Sequence, residues 1–298
     1  MPNAYKNNDI KIIKVFGDNA KDYLNNIITN NTELISSKNT IYSCLLTPQG
    51  KFLADFFITS FYNEFHLMTH SKFHDDLIKG LSFYKLRSKV TIEDVSSSYK
   101  YYFMPQPDSQ TKSKFGSSAM KVGQTIQEKN SYSFIDPRIA SIGIHIVTSN
   151  DQSIESKNLQ LFEGDCLDHF LANGILSMNF IKDLNKFYPL ENNLHLLNAI
   201  DFKKGCYVGQ ELTARMKLRN KIPRTILPFI IDADSKLNLK NTEILEDNVE
   251  VGEIIFQYKK YLFGHITLRK LSKNNPLNIE YRVANQIIKV NSQEWIKF

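Results

Sequence analysis

The segment from residue 41 to residue 94 carries the strand patterns that most limit the possible folds. Two apolar strands, IYSCLL and KFLADFFITSF, flank the turn Pro48-Gln49-Gly50, where proline presets one backbone angle and glycine supplies the other. EFHLMTH then has a strand pattern, KFHDDLIKGLSFYKL a helical one, and KVTIEDV a strand pattern again. This β-β-β-α-β order predicts an antiparallel sheet with a helix on one face.

The segments around this run add further helices and strands. A strand over residues 10–16 precedes a helix that Asp18 is expected to cap and that continues to about residue 28. The segment LDHFLANGILS predicts a helix that ends at Asn173-Gly174. Residues 104–133 are rich in Pro, Ser, Gln, Lys and Gly and predict loops with at most one short strand.

The pattern changes at residue 224, after which almost every segment reads as a strand. Such a succession of short strands is typical of a small barrel or sandwich. The whole chain has 298 residues, more than a single hydrophobic core usually supports, so two or three subdomains are expected.

Composition excludes several classes of protein. With 42% hydrophobic and 23% charged residues, the chain has a soluble globular profile rather than a disordered or fibrous one. No stretch approaches the roughly 18 uninterrupted apolar residues of a membrane helix, and the N-terminal residues fit neither a signal peptide nor an organellar presequence. We therefore expect a cytoplasmic protein, or a mitochondrial matrix protein in a eukaryote, since a processed organellar form would look the same.

The three cysteines are odd in number and far apart, which argues against a disulfide framework and for a reducing compartment. Cys44 and Cys166 have apolar surroundings, which favour a packing role. His70 and His74 have a spacing that can place two imidazoles on one helical face. No third ligand is evident, so a solvated helix start is favoured and no metal site is expected.

Residues 203–224, KKGCYVGQELTARMKLRNKIPR, contain seven basic residues and one acidic residue. The segment therefore contributes +6, which is the net charge of the whole chain, and the remainder is neutral. A solvated charged face is one interpretation. The neutrality of the rest favours a focused positive patch that suits an anionic ligand or partner.

Cys206 lies in this segment between Gly205 and Gly209, and Gln210-Glu211 can start a helix whose N-terminal dipole faces the loop. Cations and helix N-termini lower the pKa of a thiol, so a partly exposed Cys206 would be a nucleophile, a redox centre or a metal-contacting thiolate. The alternative is a buried, inert cysteine. The residues leave both possibilities open.

Three further polar residues are candidates for a binding site. Glu191 follows Pro189 in FYPLENNLHLL and is either an exposed loop acid or a carboxylate that accepts paired N–H donors from a nitrogen heterocycle. Asp55 lies in the strand after the Pro48-Gln49-Gly50 turn and Arg87 follows the helix in YKLRSKV. The structural alternative for Asp55 is a charge at the edge of a strand, and the alternative for Arg87 is a partner of the helix C-terminus.

The segment KGCYVGQE resembles the signature of the YgfZ family, folate-binding proteins that are related to the glycine-cleavage T protein and are implicated in the maturation of iron–sulfur enzymes. Other segments resemble this family in the expected order: FGDNAKDYLNNIITNN, LLTPQGKFLADFFI, YKLRSKVTIED, DPR, YPLENN, VGEI and GHITLR. The resemblance thus spans nearly the whole chain.

The resemblance implies an α+β fold arranged as a three-lobed ring, with two lobes built on antiparallel sheets and a C-terminal β-barrel. The expected division is an aminomethyltransferase-like folate-binding region over 1–223 and a barrel over 224–298. Within the first region, the two interleaved lobes are expected to comprise roughly 1–50 with 150–223, and 51–149.

The resemblance also implies that tetrahydrofolate, or a derivative, binds in a central channel and that Cys206 is the functional residue. Glu191 is expected at the pterin end, and the basic patch is expected to meet the carboxylates of the glutamate tail. The candidate folate-binding residues are Glu191, Lys204, Gly205, Tyr207, Gly209, Gln210, Glu211, Arg215, Asp55 and Arg87. Two departures, Leu176-Ser177 where relatives have proline and an acidic residue, and Phe170 where many have a basic one, put folate contacts from that segment in question.

The implied function is an accessory factor for assembly or repair of [4Fe–4S] proteins, with the assembly machinery or its client enzymes as partners. One alternative is an aminomethyltransferase acting on tetrahydrofolate, although the Tyr-Thr-Gly-Glu-type turn of that class is absent. A second is a nucleic-acid module, associated with tRNA, that uses the basic 203–224 stripe. That stripe has only one aromatic residue, Tyr207, which makes nucleic acid unlikely as a partner.

Overall fold

The computed structural model describes residues 2–107, 109–114, 120–150, 159–184, 187–219, 221–231, 242–273, 275–284 and 286–297. The chain forms two compact units, one of Met1–Cys166 with Leu197–Gln210 and the other of Leu167–Leu196 with Glu211–Phe298. No helix within the described ranges is both long enough and apolar enough to cross a membrane.

The first unit contains two sheets and three α-helices within the described residues. Its elements are β1 (Asn3–Lys6), β2 (Ile10–Phe16), α1 (Ala20–Ile27), β3 (Ile41–Leu46), β4 (Phe52–Phe61), β5 (Glu64–His70), α2 (Ser71–Lys85), β6 (Thr91–Asp94), β7 (Lys100–Met104), α3 (Ser109–Lys114), β8 (Thr125–Glu128), β9 (Ser131–Ile135), β10 (Ile144–Thr148) and β11 (Gln160–Glu163).

Five strands form an antiparallel sheet in the order β3-β4-β5-β2-β6. The predicted hairpin, the following strand, the helix and the last strand of the run are all confirmed. Helix α2 buries Phe73, Leu77 and Leu81, which recur every four residues on one face. Phe73 packs edge-on against Phe52 of β4, with ring centroids 5.4 Å apart.

The second sheet has the order β11-β1-β7-β10-β9-β8. Its β1–β11 pair is parallel, and its other pairs are antiparallel. The two sheets contact through aromatic side chains, since the ring of Phe57 on β4 lies 5.6 Å from that of Phe134 on β9 and 4.9 Å from that of His145 on β10.

Two sequence predictions are wrong in this unit. Residues 104–133 contain α3, β8 and the start of β9, because pairing in the sheet buries Thr125 and Tyr132 despite the polar composition. Helix α1 begins after Asn19 rather than Asp18, and the Asn19 side chain accepts from the backbone N–H of Lys89 instead of capping the helix.

The second unit contains α4 (Leu167–Ala172) and the strands β12 (Arg224–Ile230), β13 (Glu243–Glu246), β14 (Val249–Tyr258), β15 (Tyr261–Thr267), β16 (Tyr281–Val283) and β17 (Gln286–Val290). The helix α5 (Gln210–Leu218) begins at the end of the first unit's segment. As predicted, α4 ends at a glycine in the left-handed region, Gly174 with φ +71°.

The six strands close into a barrel in the order β12-β15-β14-β13-β16-β17. Its core is apolar and includes Leu227, Phe229, Ile244, Val251, Leu262, Ile266, Tyr281, Val283 and Ile288. The predicted α+β fold with antiparallel sheets and a C-terminal barrel is therefore confirmed. The lobe boundary that we predicted near residue 50 falls inside the β3–β4 hairpin, so those lobe limits differ from the limits of the sheets.

Candidate functional site

Cys206 is exposed, whereas Cys44 is buried and Cys166 is partly buried. The buried alternative for Cys206 is therefore excluded, and the packing role predicted for Cys44 is confirmed. Burial raises the pKa of the Cys44 thiol to about 12, which keeps that thiol protonated. Of the three cysteines, Cys206 is the most exposed.

The loop that carries Cys206 is held at its C-terminal side by the start of α5. The backbone N–H of Tyr207 donates to Oε1 of Gln210 at 2.9 Å, and the Gln210 amide nitrogen lies 3.9 Å from Sγ of Cys206. The backbone N–H of Val208 donates to the carbonyl of Asn26 in α1. The predicted helix start at Gln210 is confirmed, and these bonds fix the short segment between the thiol and the helix.

The two glycines of the loop differ in what surrounds them. Gly209 has φ +77°, and a Cβ there would lie 2.3 Å from the carbonyl oxygen of Thr47, in the β3–β4 turn. At Gly205 nothing lies within 4 Å of an added Cβ. The close approach that we predicted thus applies to Gly209, while Gly205 leaves open space beside the exposed thiol.

Lys204 is half-buried and donates to three backbone carbonyls at the end of α1, those of Asn25, Ile28 and Asn30, at 2.5, 2.8 and 3.0 Å. Its ammonium also lies 5.2 Å from the ring centre of Tyr207. Burial lowers the pKa of Lys204 to about 8, against the opposing effect of Asp201. The ammonium predicted to meet a folate carboxylate is therefore engaged within the protein.

Two further candidates, Glu211 and Arg215, lie on α5. Glu211 and Arg215, one helical turn apart, form an exposed ion pair with each other. Exposed i,i+4 pairs contribute only about 0.3–0.5 kcal/mol, so both side chains are free to exchange this partner for a ligand.

Asp55 is half-buried on β4 and accepts a hydrogen bond of 2.5 Å from the hydroxyl of Tyr42. Burial raises the pKa of Asp55, although Tyr42 and Arg138 oppose the rise. The guanidinium of Arg138 lies over the rings of Tyr42 and Phe57, at 5.6 and 5.1 Å. Asp55 is therefore part of a polar cluster between the two sheets rather than an isolated strand-edge charge.

This cluster extends to residues that the sequence analysis did not single out. Arg138 makes a two-pronged ion pair with the fully buried Asp136 at 2.7 and 3.1 Å. His145 donates from Nε2 to Asp136 at 2.9 Å and accepts from the Tyr101 hydroxyl at 2.5 Å. Burial alone would raise the pKa of Asp136, but Arg138 and His145 outweigh it and hold the pKa below its usual value. In the sequence, the segment DPR at residues 136–138 is the local signal for this pair.

A cavity of about 440 Å³ lies beside this cluster in the first unit. Asn30 and Tyr42 line one side, and Asn198, Ile200 and Asp201 of the segment leading to Cys206 line another. Asn30 ties the two sides together, since its side-chain amide donates to the carbonyls of Tyr42 and Asn198. The volume is in the range of small-molecule sites.

Glu191 belongs to the second unit and is almost completely buried, with 1% exposure. The exposed-acid alternative is therefore wrong. One carboxylate oxygen accepts from the backbone N–H of Tyr188 at 2.9 Å and the other from Nε of Arg224 at 3.2 Å. Arg224 also lies over the ring of Phe187, 5.0 Å from its centre.

The residues after Glu191 form a polar layer against the barrel. Asn193 donates to the carbonyl of Ile226 and accepts from the Thr225 hydroxyl, both on β12. Asn192 contacts Nε2 of His265 through its Oδ1 at 3.2 Å. The buried Nδ2 of Asn192 and Nδ1 of His265 have no hydrogen-bond partner among the described residues. Burial, with Arg224 next in effect, lowers the pKa of His265 to about 4, so the ring is neutral.

Two other sequence candidates lie apart from these contacts. Arg87 is exposed in the turn after α2, where it lines a surface depression with Asn19, Leu86 and Ser88. His70 caps α2 by accepting from the backbone N–H of Lys72, and His74 pairs with Asp94 at 3.0 Å. This is the helix-start role we favoured. No group of three or more potential metal ligands occurs among the described residues.

Comparison with known proteins adds three findings. Residues 7–110 match the family described as the GCVT N-terminal domain. The iron–sulfur cluster assembly factor IBA57 homologue of Mycosarcoma maydis is 30% identical over 233 residues, 73% of this chain and 54% of the relative. The homologue of Neurospora crassa is 30% identical over 268 residues, which are 81% of this chain and 59% of the relative. The human protein is 28% identical over 237 residues, which are 73% of this chain and 63% of the relative.

By these matches the chain resembles the YgfZ/IBA57-like group of GcvT-fold proteins. The predicted family resemblance is thereby confirmed. The chain spans less than two thirds of the length of these curated YgfZ/IBA57-like relatives, whose names describe them as mitochondrial. The aminomethyltransferase T of the glycine cleavage system from Bartonella henselae has the same fold, with a TM-score of 0.75 over 99% of this chain and 86% of that one, at 11% identity.

Proposed function

We propose that this chain is an assembly factor for iron–sulfur proteins that works through Cys206 and binds a reduced folate. The observation that carries the proposal is the similarity, over about three quarters of the chain, to proteins named as iron–sulfur cluster assembly factors. The exposed thiol on a fixed loop supports it, because iron–sulfur clusters bind to cysteine thiolates. A cluster needs more ligands than one thiolate, and we propose that a partner protein or the folate supplies them.

The first unit offers groups that suit a folate. Asp55 accepts from the Tyr42 hydroxyl through Oδ2, and the aromatic ring of Phe57 lies 5.4 Å from the ring of Tyr42. A carboxyl group can accept from an N–H group of a folate, and aromatic rings stack on flat heterocycles. We propose Asp55 as one of the folate-binding residues.

The second unit offers a separate set of such groups. A carboxylate accepts up to about four hydrogen bonds, and Glu191 uses one at each oxygen. The Nδ2 of Asn192, which has no partner in the part of the chain that the structure describes, is a buried donor that a ligand carbonyl would satisfy. We propose that Glu191 accepts from the pterin and that exposed basic residues of α5, such as Arg215, meet the glutamate tail.

The proposed partners are components of the iron–sulfur assembly machinery or the [4Fe–4S] enzymes that they supply. We place the protein in the mitochondrial matrix if its source is a eukaryote, as for the relatives named above, and in the cytoplasm if it is a bacterium. We regard it as an accessory factor that supports cluster transfer or repair.

The proposal is tested in a strain that lacks this protein and has lost activity of a [4Fe–4S] enzyme. Expression of the wild-type chain is expected to restore that activity, while an enzyme without a cluster in the same extract stays constant as the control. If the cluster enzyme stays inactive although the chain accumulates in folded form, the assembly function is wrong.

Folate binding is tested separately by calorimetric titration of the purified chain with tetrahydrofolate. Heat of binding is expected for the wild type and at least a tenfold weaker affinity for Asp55→Asn and Glu191→Gln. Exposed Glu163→Gln is the matched control and is expected to bind like the wild type. Absence of both binding heat and a thermal shift contradicts folate binding. Formation of methylene-tetrahydrofolate from an aminomethyl-carrier protein would instead identify an aminomethyltransferase.

A further inference from the structure

The last carbonyl groups of a helix have no partner within the helix, and a nearby cation stabilises them and the negative end of the helix dipole. Helix α1 has no basic residue in its last turn. Lys204 supplies the missing cation from a position 179 residues beyond Asn25 in the sequence. The cation of the cysteine loop is thus part of the cap of α1.

The geometry uses the whole ammonium group. Lysine has three N–H donors, and Lys204 makes three bonds, to the carbonyls of Asn25, Ile28 and Asn30. No ammonium hydrogen is left for a ligand carboxylate. The neighbouring Lys203 is exposed and makes its hydrogen bond to Asp201 through its backbone N–H.

Further bonds connect the same two segments on either side of Lys204. Before it, the Thr29 hydroxyl donates to the carbonyl of Ala199, and the backbone N–H of Asp201 donates to the carbonyl of Thr29. After it, Val208 donates to Asn26. Lys204 occupies the middle of this connection, two residues before the exposed thiol.

We propose that Lys204 is a positioning residue, which fixes the Cys206 loop by capping α1 and does not bind the folate. The inference rests on the proposed function only in taking Cys206 as the working thiol. Loss of the ammonium removes the central attachment of the loop while the bonds of Ala199, Asp201 and Val208 remain. The loop is then expected to open locally without unfolding of the unit.

Two measurements that do not depend on activity test this proposal in Lys204→Met, with Lys203→Met as the charge-matched control. Amide hydrogen exchange is expected to accelerate at least about fivefold in peptides covering residues 23–30 and 202–209 of Lys204→Met. Alkylation of Cys206 by iodoacetamide, followed by mass spectrometry of its peptide, is expected to accelerate at least about threefold. Lys203→Met is expected to match the wild type in both.

Lys204→Arg keeps the charge but presents a planar fork that cannot place three hydrogens on one converging set of carbonyls. It is expected to give an intermediate exchange rate and partial rescue of the [4Fe–4S] enzyme, with little rescue by Lys204→Met. If Lys204→Met does not fold, the same two measurements are made on Lys204→Arg. Unchanged local exchange and alkylation in both variants overturn the positioning role. Failure of the wild type to rescue would contradict the proposed function and leave these two measurements valid.

Discussion

Gly209 lies directly against the carbonyl of Thr47, so that a Cβ at residue 209 would stand 2.3 Å from that oxygen. The contact joins the cysteine loop to the turn between β3 and β4, where Gly50 also has a positive φ of +75°. Two segments that are 162 residues apart in the chain are thereby in van der Waals contact through backbone atoms. Only glycine combines this approach with φ +77° at residue 209.

We predict that Gly209→Ala destabilises the first unit by about 2–3 kcal/mol, because it combines an unfavourable positive φ with a clash against backbone. Gly205→Ala is the matched control, since its Cβ meets no atom within 4 Å, and we expect a change of less than about 1 kcal/mol. Urea unfolding followed by far-ultraviolet circular dichroism measures both. Equal stability of the two variants would contradict the role given to Gly209.

The buried Arg138–Asp136 pair gives a second prediction. Asp136→Asn leaves a buried guanidinium without its counter-charge and weakens the bond to His145, which is expected to cost about 3–5 kcal/mol. Glu280→Gln, in the exposed pair with Arg282, is the matched control and should cost less than about 1 kcal/mol. The same unfolding assay applies. A small effect at Asp136 would show that the cluster does not need its buried charge.

His66 on β5 makes the stability of the first unit depend on pH. Burial of the imidazole, and to a smaller extent the nearby positive charge of Lys14, lowers the pKa of His66 from 6.5 to about 4. Between these values the unfolded chain binds a proton that the folded chain does not, so stability falls as the pH is lowered. The loss approaches about 3 kcal/mol near pH 4.

We predict that His66→Phe has a shallower decline in unfolding free energy between pH 7 and pH 5 than the wild type. Tyr132→Phe removes the same 3.2 Å contact and keeps the imidazole, so it should retain the wild-type slope. Unfolding in urea at several pH values gives the slopes. A wild-type slope in His66→Phe would assign the acid sensitivity to other groups.

Unfolding of the second unit can be followed by the fluorescence of Trp295, which is the chain's sole tryptophan. Its indole N–H donates to the carbonyl of Asn173 within the same unit. Phe229→Ala, in the barrel core, is expected to lower the unfolding free energy by about 3–5 kcal/mol. Ile287→Ala, at a half-exposed position of β17, should cost less than about 1 kcal/mol. Tryptophan fluorescence in urea measures both variants, and similar midpoints would contradict the barrel packing described here.

Much of the fold follows from local sequence. The β3–β4 hairpin, α2 and the barrel strands are strongly periodic and are bounded by glycine, proline or polar turns. The sequence allows one short strand in residues 104–133 but does not place β8, because TIQE is short and polar and its pairing with β9 is what buries Thr125. Such strands depend on tertiary contacts that no local pattern records.

The site was only partly predictable for the same reason. The glycines and basic residues around Cys206 indicated a functional loop, yet the sequence does not show that Lys204 faces the end of α1. The burial of Glu191 has no local signature, because its charged partner Arg224 lies 33 residues further along the chain. The network of Asp136, His145 and Tyr101 joins three strands or loops and has no local signature beyond DPR.

The most direct test of the central claim compares two cysteine variants in the strain that lacks this protein. Cys206→Ala is expected to restore less than about a tenth of the [4Fe–4S] enzyme activity that the wild-type chain restores, at equal levels of folded protein. Cys166→Ala, which removes a partly buried thiol, is expected to restore it almost fully. Full restoration by Cys206→Ala would contradict the claim that the exposed thiol of the KGCYVGQE loop carries the function.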